Sequence, residues 1–279
     1  MIIFATQIAV RRMTIRDWIK EKEIGGSSHF SVEELQLAFP NMGYELIRNE
    51  LYRLSSQKVV TSVYKGFYVI IPVQYASKGV IPPLYYVDQL MSYINKPYYI
   101  SLLSAAEILG AAHQRPQRFY ITTLRPSANV SKSKNPILEW IFRTNIPAQF
   151  LLQKNSQTGT IRYSNAELTA VDLVQHSHYV GGLTRVTTIL SELIELADFR
   201  DKIDALLEFF NVSTLQRLGY LLEVVLEEQE QADVIYEQLL KTNRRLNYII
   251  LDVHNSSEHT ELNKRWGIKI NTDIEIDEI

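Results

Sequence analysis

Apolar residues recur at helical spacing in the first quarter of the chain and then switch to strand-like runs. Ile15, Trp18 and Ile19 mark one face of a helix over Thr14–Glu23, which Gly25-Gly26 ends. Ser31 and Glu34 have capping-box spacing: the serine takes an orphan N–H and the glutamate reaches back, so a second helix starts there. Its stripe is Val32, Leu35 and Phe39, and Pro40 stops it. Beyond the turn Asn41-Met42-Gly43, Ile47, Leu51 and Leu54 fall at i, i+4 and i+7 of a third helix, Tyr44–Ser56. Val59–Tyr64 and Phe67–Ile71 are β-rich runs around Lys65-Gly66, a hairpin signal with glycine suited to a positive φ. Helix, helix, turn, helix and hairpin in that order predict a winged helix-turn-helix over residues 13–72.

Pro72, Gly79, Pro82 and Pro83 punctuate residues 73–83, which read as a linker. Residues 84–279 read as a larger mixed α/β domain with a mostly helical second half, making the chain α+β. Tyr85–Ile94 and Ile100–Ala112 are predicted helices, broken at Pro97. Phe119–Thr123 is a predicted strand, and Phe150–Gln153 pairs with Thr160–Tyr163 around the turn Ser156–Gly159. Ser164 and Glu167 repeat the capping-box spacing ahead of Leu168, Val171 and Val174, on a helix ending near His176. Gly181-Gly182 turns the chain into four more helices: Leu183–Ala197, Asp201–Asn211, Ser213–Glu228 and Gln231–Lys241. Leu246–Leu251 is an apolar strand, and Ile268–Ile276 alternates isoleucine with polar residues, the mark of a half-buried strand.

Composition narrows the classes. A chain of 279 residues suits two domains, and the absence of cysteine excludes disulfides and thiolate metal sites. No apolar run is long enough to span a bilayer. In residues 1–12 the two arginines follow the apolar stretch, whereas a secretory signal places its charge first. That stretch reads as a loosely attached extension ahead of Met13, an alternative start, and the protein as cytoplasmic. Residues 1–72 hold nine Lys and Arg against seven Asp and Glu; the remainder holds 20 against 24. A mildly basic head on an acidic body fits a polyanion reader, by a small margin.

The third predicted helix turns Tyr44, Glu45, Arg48, Asn49 and Tyr52 outward. Arg bonds guanine bidentately and Asn does so with adenine. Glu45 either accepts from cytosine or is a solvated first-turn acid. Lys65 sits at the hairpin tip, where a wing meets phosphate. Tyr44, Arg48, Asn49, Tyr52 and Lys65 are therefore the candidate DNA contacts, although each residue type is also ordinary surface and the element order carries more weight than any of them. Arg115, Arg118 and Arg125 make either a second phosphate-facing patch or side chains paired on a sheet face. His176-x-His178 lacks the companions of a metal site, and Asp273, Glu275 and Asp277 alternate as an exposed acidic strand does. With no G-x-S-x-G, P-loop or dinucleotide fingerprint and no triad spacing, neither an enzyme nor a cofactor is expected.

Several phrases carry a resemblance: YYISLLSAAEILGAAHQRPQRFYITT (98–123), NAELTAVDLVQH (165–176), GGL (181–183), QRLGYLLE (216–223) and RWGIKINTDIEI (265–276). In order and spacing they resemble the AbiEi family, antitoxins of type IV toxin–antitoxin and abortive-infection phage-defence systems, from Met13 onward. The resemblance implies that the winged helix binds inverted repeats in the double-stranded DNA of its own promoter and represses the operon. It also implies that the body neutralises a nucleotidyltransferase-like toxin encoded next door, without needing a stable complex. By position, Thr169 and Asp172 match the family's T-x-x-D phrase, and Arg217, Gly219 and Glu223 match its R-L-G-x-L-x-E phrase. Read as residues alone, Asp172 and Arg217 suggest a buried ion pair between helices, and Gly219 a close helix approach. That structural role stands beside a direct antitoxic one. The alternative for the whole chain is a winged-helix regulator whose body senses a small molecule and has no toxin partner.

Overall fold

The computed structural model describes residues 13–77, 79, 81–112, 116–125, 137–242, 246–255 and 261–274. The predicted extension (residues 1–12), Arg115, Glu275, Ile276 and Asp277 lie outside them. The chain condenses into two compact units, one formed up to Ile94 with residues 155–159, the other from Asn95 onward.

The first unit begins with α1 (Ile15–Ile24), where Thr14 and Asp17 close a reciprocal capping box. A three-residue strand β1 (His29–Ser31) leads into α2 (Val32–Ala38). Ser31 Oγ caps α2 by accepting from the Glu34 N–H at 3.1 Å, but the Glu34 carboxylate accepts from Lys22 Nζ at 2.8 Å. Helix α3 (Tyr44–Ser56) and the antiparallel pair β2 (Val60–Tyr64) and β3 (Phe67–Ile70) follow. The sheet order is β1-β3-β2. Gly66, at φ +77°, makes the two-residue turn between Tyr64 and Phe67 possible. One core joins Ile15, Ile19, Leu35, Ile47, Leu51 and Leu54 of the helices to Phe30, Val60 and Ile70 of the sheet. The opposite sheet face is covered too: Tyr93 of α4 (Val87–Ile94) lies 5.3 Å from the Phe67 ring and 6.3 Å from that of Tyr64. The Pro- and Gly-punctuated stretch holds two 3-10 turns, Val73–Tyr75 and Pro83–Tyr85, and lies within this unit.

The second unit is built on a five-stranded sheet of β4 (Tyr98–Ile100), β5 (Phe119–Leu124), β6 (Leu138–Arg143), β7 (Leu151–Asn155) and β8 (Thr160–Ser164), ordered β6-β5-β4-β8-β7. Strand β4 runs antiparallel to β5 and parallel to β8, and β5 runs parallel to β6. Its helices are α5 (Leu102–Leu109), α6 (Ala166–Gln175), α7 (Ser177–Val180), α8 (Leu183–Leu193), α9 (Ile203–Leu207), α10 (Val212–Tyr220) and α11 (Gln229–Lys241). A small sheet of β9 (Ile249–Ile250), β10 (Glu261–Asn263) and β11 (Ile268–Ile270), ordered β10-β11-β9, completes it. The α+β class is as expected.

Four expectations need correction. Tyr98–Ile100 forms the central strand, with the helix starting only at Leu102; three bulky β-formers outweigh the helical stripe. The Leu138–Arg143 strand was not foreseen. Asn165, not Ser164, caps α6, accepting from Leu168 N–H at 3.0 Å, because Ser164 closes β8 and its hydroxyl pairs with Thr169 Oγ1 at 2.6 Å. The alternating C-terminal run is a strand only over Ile268–Ile270 among the described residues. There the buried Asn271 side chain takes over, donating to the Asp252 and Asn255 carbonyls at 2.8 and 3.0 Å and accepting from Asp252 N–H at 3.0 Å.

Candidate functional site

On α3 the stripe Ile47, Leu51 and Leu54 is buried, which fixes the helix and its opposite face. Tyr44, Arg48, Asn49 and Tyr52 all lie on that exposed face, Tyr52 with 78% of its surface free. Residues 44, 48 and 52 are one helical turn apart, so the tyrosines bracket the arginine. Arg48 Nη2 lies 2.8 Å from Glu45 Oε2, an exposed pair that water screens and a competing anion displaces at little cost. Lys65 is exposed at the hairpin tip, and Tyr93 Oη donates to its carbonyl at 3.4 Å. The five candidate contacts are thus solvent-facing, four on one helix face and one on the hairpin.

The body presents different chemistry. Asp172 is buried on α6, where Oδ2 accepts from Tyr99 Oη at 2.7 Å and Oδ1 from Arg143 Nη1 at 2.7 Å. Arg143 also donates to Tyr99 Oη at 3.2 Å and to the Phe209 carbonyl at 3.1 Å, and its guanidinium stacks 4.2 Å from the Phe210 ring centre. Burial pushes the Asp172 carboxyl up to about 6, against the pull of Arg143 and the Tyr99 hydroxyl. Burial alone would lower the Arg143 pKa, but Asp172 and Tyr99 hold it above its ordinary value. Tyr99 is pushed well up by burial and by Asp172. His176, at the end of α6, is driven down to about 4 by burial, with Arg143 and His178 adding to it, so it is neutral near pH 7. Among the described residues no three His, Cys, Asp or Glu side chains are placed to hold a metal.

Asp172 and Arg217 do not form the ion pair that their types suggested. Asp172 is taken by Arg143 from β6. Arg217 instead donates through Nε to the Ile250 and Leu251 carbonyls at 3.1 and 3.0 Å and through Nη2 to Ile250 at 2.9 Å. The unpaired carbonyls of an edge strand offer a fixed donor fork more partners than a distant carboxylate does. Gly219 packs beneath the fully buried Trp266 ring, so close that a Cβ would lie inside it; this is the close approach expected, with an indole from the C-terminal segment as the neighbour. Glu223 accepts from the Trp266 indole N–H and from Arg265 Nη1, the latter at 3.1 Å. Gln216 Nε2 donates to the Trp266 carbonyl at 2.6 Å and to that of Asn247 at 2.9 Å. Thr169 bonds locally, its hydroxyl donating to the Asn165 carbonyl one turn back at 2.7 Å. Two of the quoted phrases, QRLGYLLE and RWGIKI, therefore close on each other.

The helix widens into a π turn over Leu221–Val225, which carries Glu223. Of the arginine-rich piece, Arg118 pairs with Glu139 at 2.5 Å and Arg125 is exposed.

Residues 99–224 match the model of the AbiEi antitoxin C-terminal domain. The chain carries an AbiEi antitoxin domain. The whole buried Tyr99–Arg143–Asp172 network lies inside that AbiEi segment, as do Thr169, Arg217, Gly219 and Glu223. No curated protein sequence matches the chain significantly. In fold it is similar to the crystal structure of the RV2827C protein from Mycobacterium tuberculosis, with a TM-score of 0.67 at 14% identity over 91% of this chain and 89% of that one. At that identity the likeness bears on the fold alone. No helix among the described residues is long and apolar enough to cross a membrane.

Tyr99, Arg143 and Trp266 had not been singled out by sequence. Tyr99 and Trp266 lie inside the quoted phrases, but nothing in spacing linked Arg143 to an aspartate 29 residues away.

Proposed function

We propose that the protein is a DNA-binding antitoxin and transcriptional autorepressor of a type IV toxin–antitoxin operon, acting in the cytoplasm. Residues 13–72 serve as a winged helix-turn-helix and the AbiEi body neutralises the effect of a nucleotidyltransferase-like toxin, without a stable complex between the two. The DNA-binding half rests on one observation: Tyr44, Arg48, Asn49 and Tyr52 share the solvent face of a helix whose other face is anchored by Ile47, Leu51 and Leu54. An arginine and an asparagine one residue apart on such a face suit a G and an A in the major groove. Lys65, on the two-residue turn, suits a phosphate contact. The antitoxin half rests on the domain match. Thr169, Asp172, Arg217, Gly219 and Glu223 act in this reading by holding the body in shape.

The test is binding to the chain's own promoter fragment against a shuffled duplex at several salt concentrations. The promoter is expected to bind tighter, with affinity falling steeply as salt rises. Arg48→Ala and Asn49→Ala should each cost about 1–3 kcal/mol on promoter DNA and relax specificity. Lys65→Ala should weaken both duplexes alike and lower the salt slope by about one. Equal binding to promoter and shuffled DNA contradicts the proposal.

A further inference from the structure

A cavity of about 280 Å³ opens beside the buried Arg143–Asp172 pair, wholly within the second unit. Its polar lining includes Arg125, Arg143, Asn145, Gln175, His176 and Asn211, with Glu208 at the wall. Three features favour a negative guest. Arg143 keeps only 9% of its side chain exposed and is held rigid by Asp172, Tyr99, the Phe209 carbonyl and the Phe210 ring, so it meets a ligand without ordering cost. The Arg125 side chain is exposed on the cavity wall and has no hydrogen-bond or ion-pair partner among the described residues. Asn211 is the N-cap of α10, a nine-residue helix, and lines the cavity; its carbonyl takes the Thr214 N–H at 3.0 Å, while its side chain makes no capping bond to the first turn. The carboxamides of Asn145 and Asn211 and a neutral His176 add donors and acceptors for the uncharged part of a guest. Burying an ion pair in a body that could have filled that place with apolar side chains is costly, and such networks cluster at ligand sites.

We propose that this cavity is a binding site for a small phosphate-bearing ligand, its oxyanion held by Arg125, Arg143 and the N-terminus of α10, and its organic part by the carboxamides. Its lining residues all belong to the second unit. The same oxyanion chemistry comes from free phosphate or from a nucleoside phosphate, and the two are separated by titration.

The full-length protein is titrated calorimetrically with inorganic phosphate and, separately, with a nucleoside triphosphate without metal. Saturable one-to-one binding of either probe is expected, weakened by at least about tenfold in Arg125→Ala, which removes a charge-assisted contact from an exposed side chain that has no partner among the described residues. Equal affinity for both probes identifies an oxyanion site alone. Tighter nucleotide binding that Asn145→Ala abolishes identifies a site that also reads the organic part. Arg200→Ala, which removes an exposed arginine paired with Asp198, serves as the control and should bind like wild type. Absence of saturable binding for both probes, or binding unchanged in Arg125→Ala, overturns the proposal.

Discussion

At the scale of the residue, the AbiEi body turns on side chains that look unremarkable in sequence. Gly219 has ordinary helical backbone, so its role is steric: a methyl group there would overlap Trp266, which is itself fully buried. Alanine gains about 1 kcal/mol of helix propensity, but overpacking a rigid indole outweighs it. Gly219→Ala is expected to lose about 1–3 kcal/mol net in urea unfolding. A paired Trp266→Leu change should recover part of that loss, giving a non-additive cycle; full additivity would mean the two positions do not meet. His176 makes a second prediction. Its folded pKa, about 4, lies below the ordinary histidine value of 6.5, so between those values the unfolded chain binds a proton that the folded one refuses. Stability from this group is complete above pH 6.5 and is lost as pH falls to about 4. Measured against His176→Gln, wild type should lose roughly 2–3 kcal/mol over that window. The neighbouring Asp172, raised to about 6, has the opposite sign, since its folded form takes up the proton first and gains stability as pH falls. Only the variant difference therefore isolates His176. None of this is legible in the sequence, because burial and partners decide it, and Arg143 reaches Asp172 from a strand that the hydrophobic pattern does not reveal.

At the scale of the element, legibility followed length and period. Helix α3 was readable because three apolar residues at helical spacing met no competing signal, and its observed span, Tyr44–Ser56, is the expected one. Short strands were less so: β1 has three residues, too few to show alternation, and β9 fills only two positions of the expected Leu246–Leu251 strand. Strand β9 is also the edge of its sheet, and Arg217 occupies its free carbonyls with three hydrogen bonds. Arg217→Ala should cost about 2–3 kcal/mol and leave an open strand edge beside the exposed Tyr248, Ile250 and Val253. The expected readouts are a lower urea midpoint and faster concentration-dependent aggregation. An unchanged midpoint would show that the carbonyls are satisfied by water.

At the scale of the molecule, the charge split was visible in the sequence and the pairing of its charges was not. In the first unit Lys22, Arg48 and Arg53 each face a glutamate, so the basic excess is thinner in space than in the count. The two compact units divide at Ile94, after Tyr93 has stacked on the hairpin; the sequence punctuation at 73–83 reflects turns within the first unit. The central claim is that one unit reads DNA while the AbiEi body counters a toxin. It is tested most directly by growth of cells expressing the nucleotidyltransferase-like toxin from the neighbouring gene, with the full-length protein supplied from a separate promoter. Wild type and Arg48→Ala are both predicted to restore growth, while only wild type represses the operon promoter. Growth that remains arrested with wild-type protein present would contradict the account.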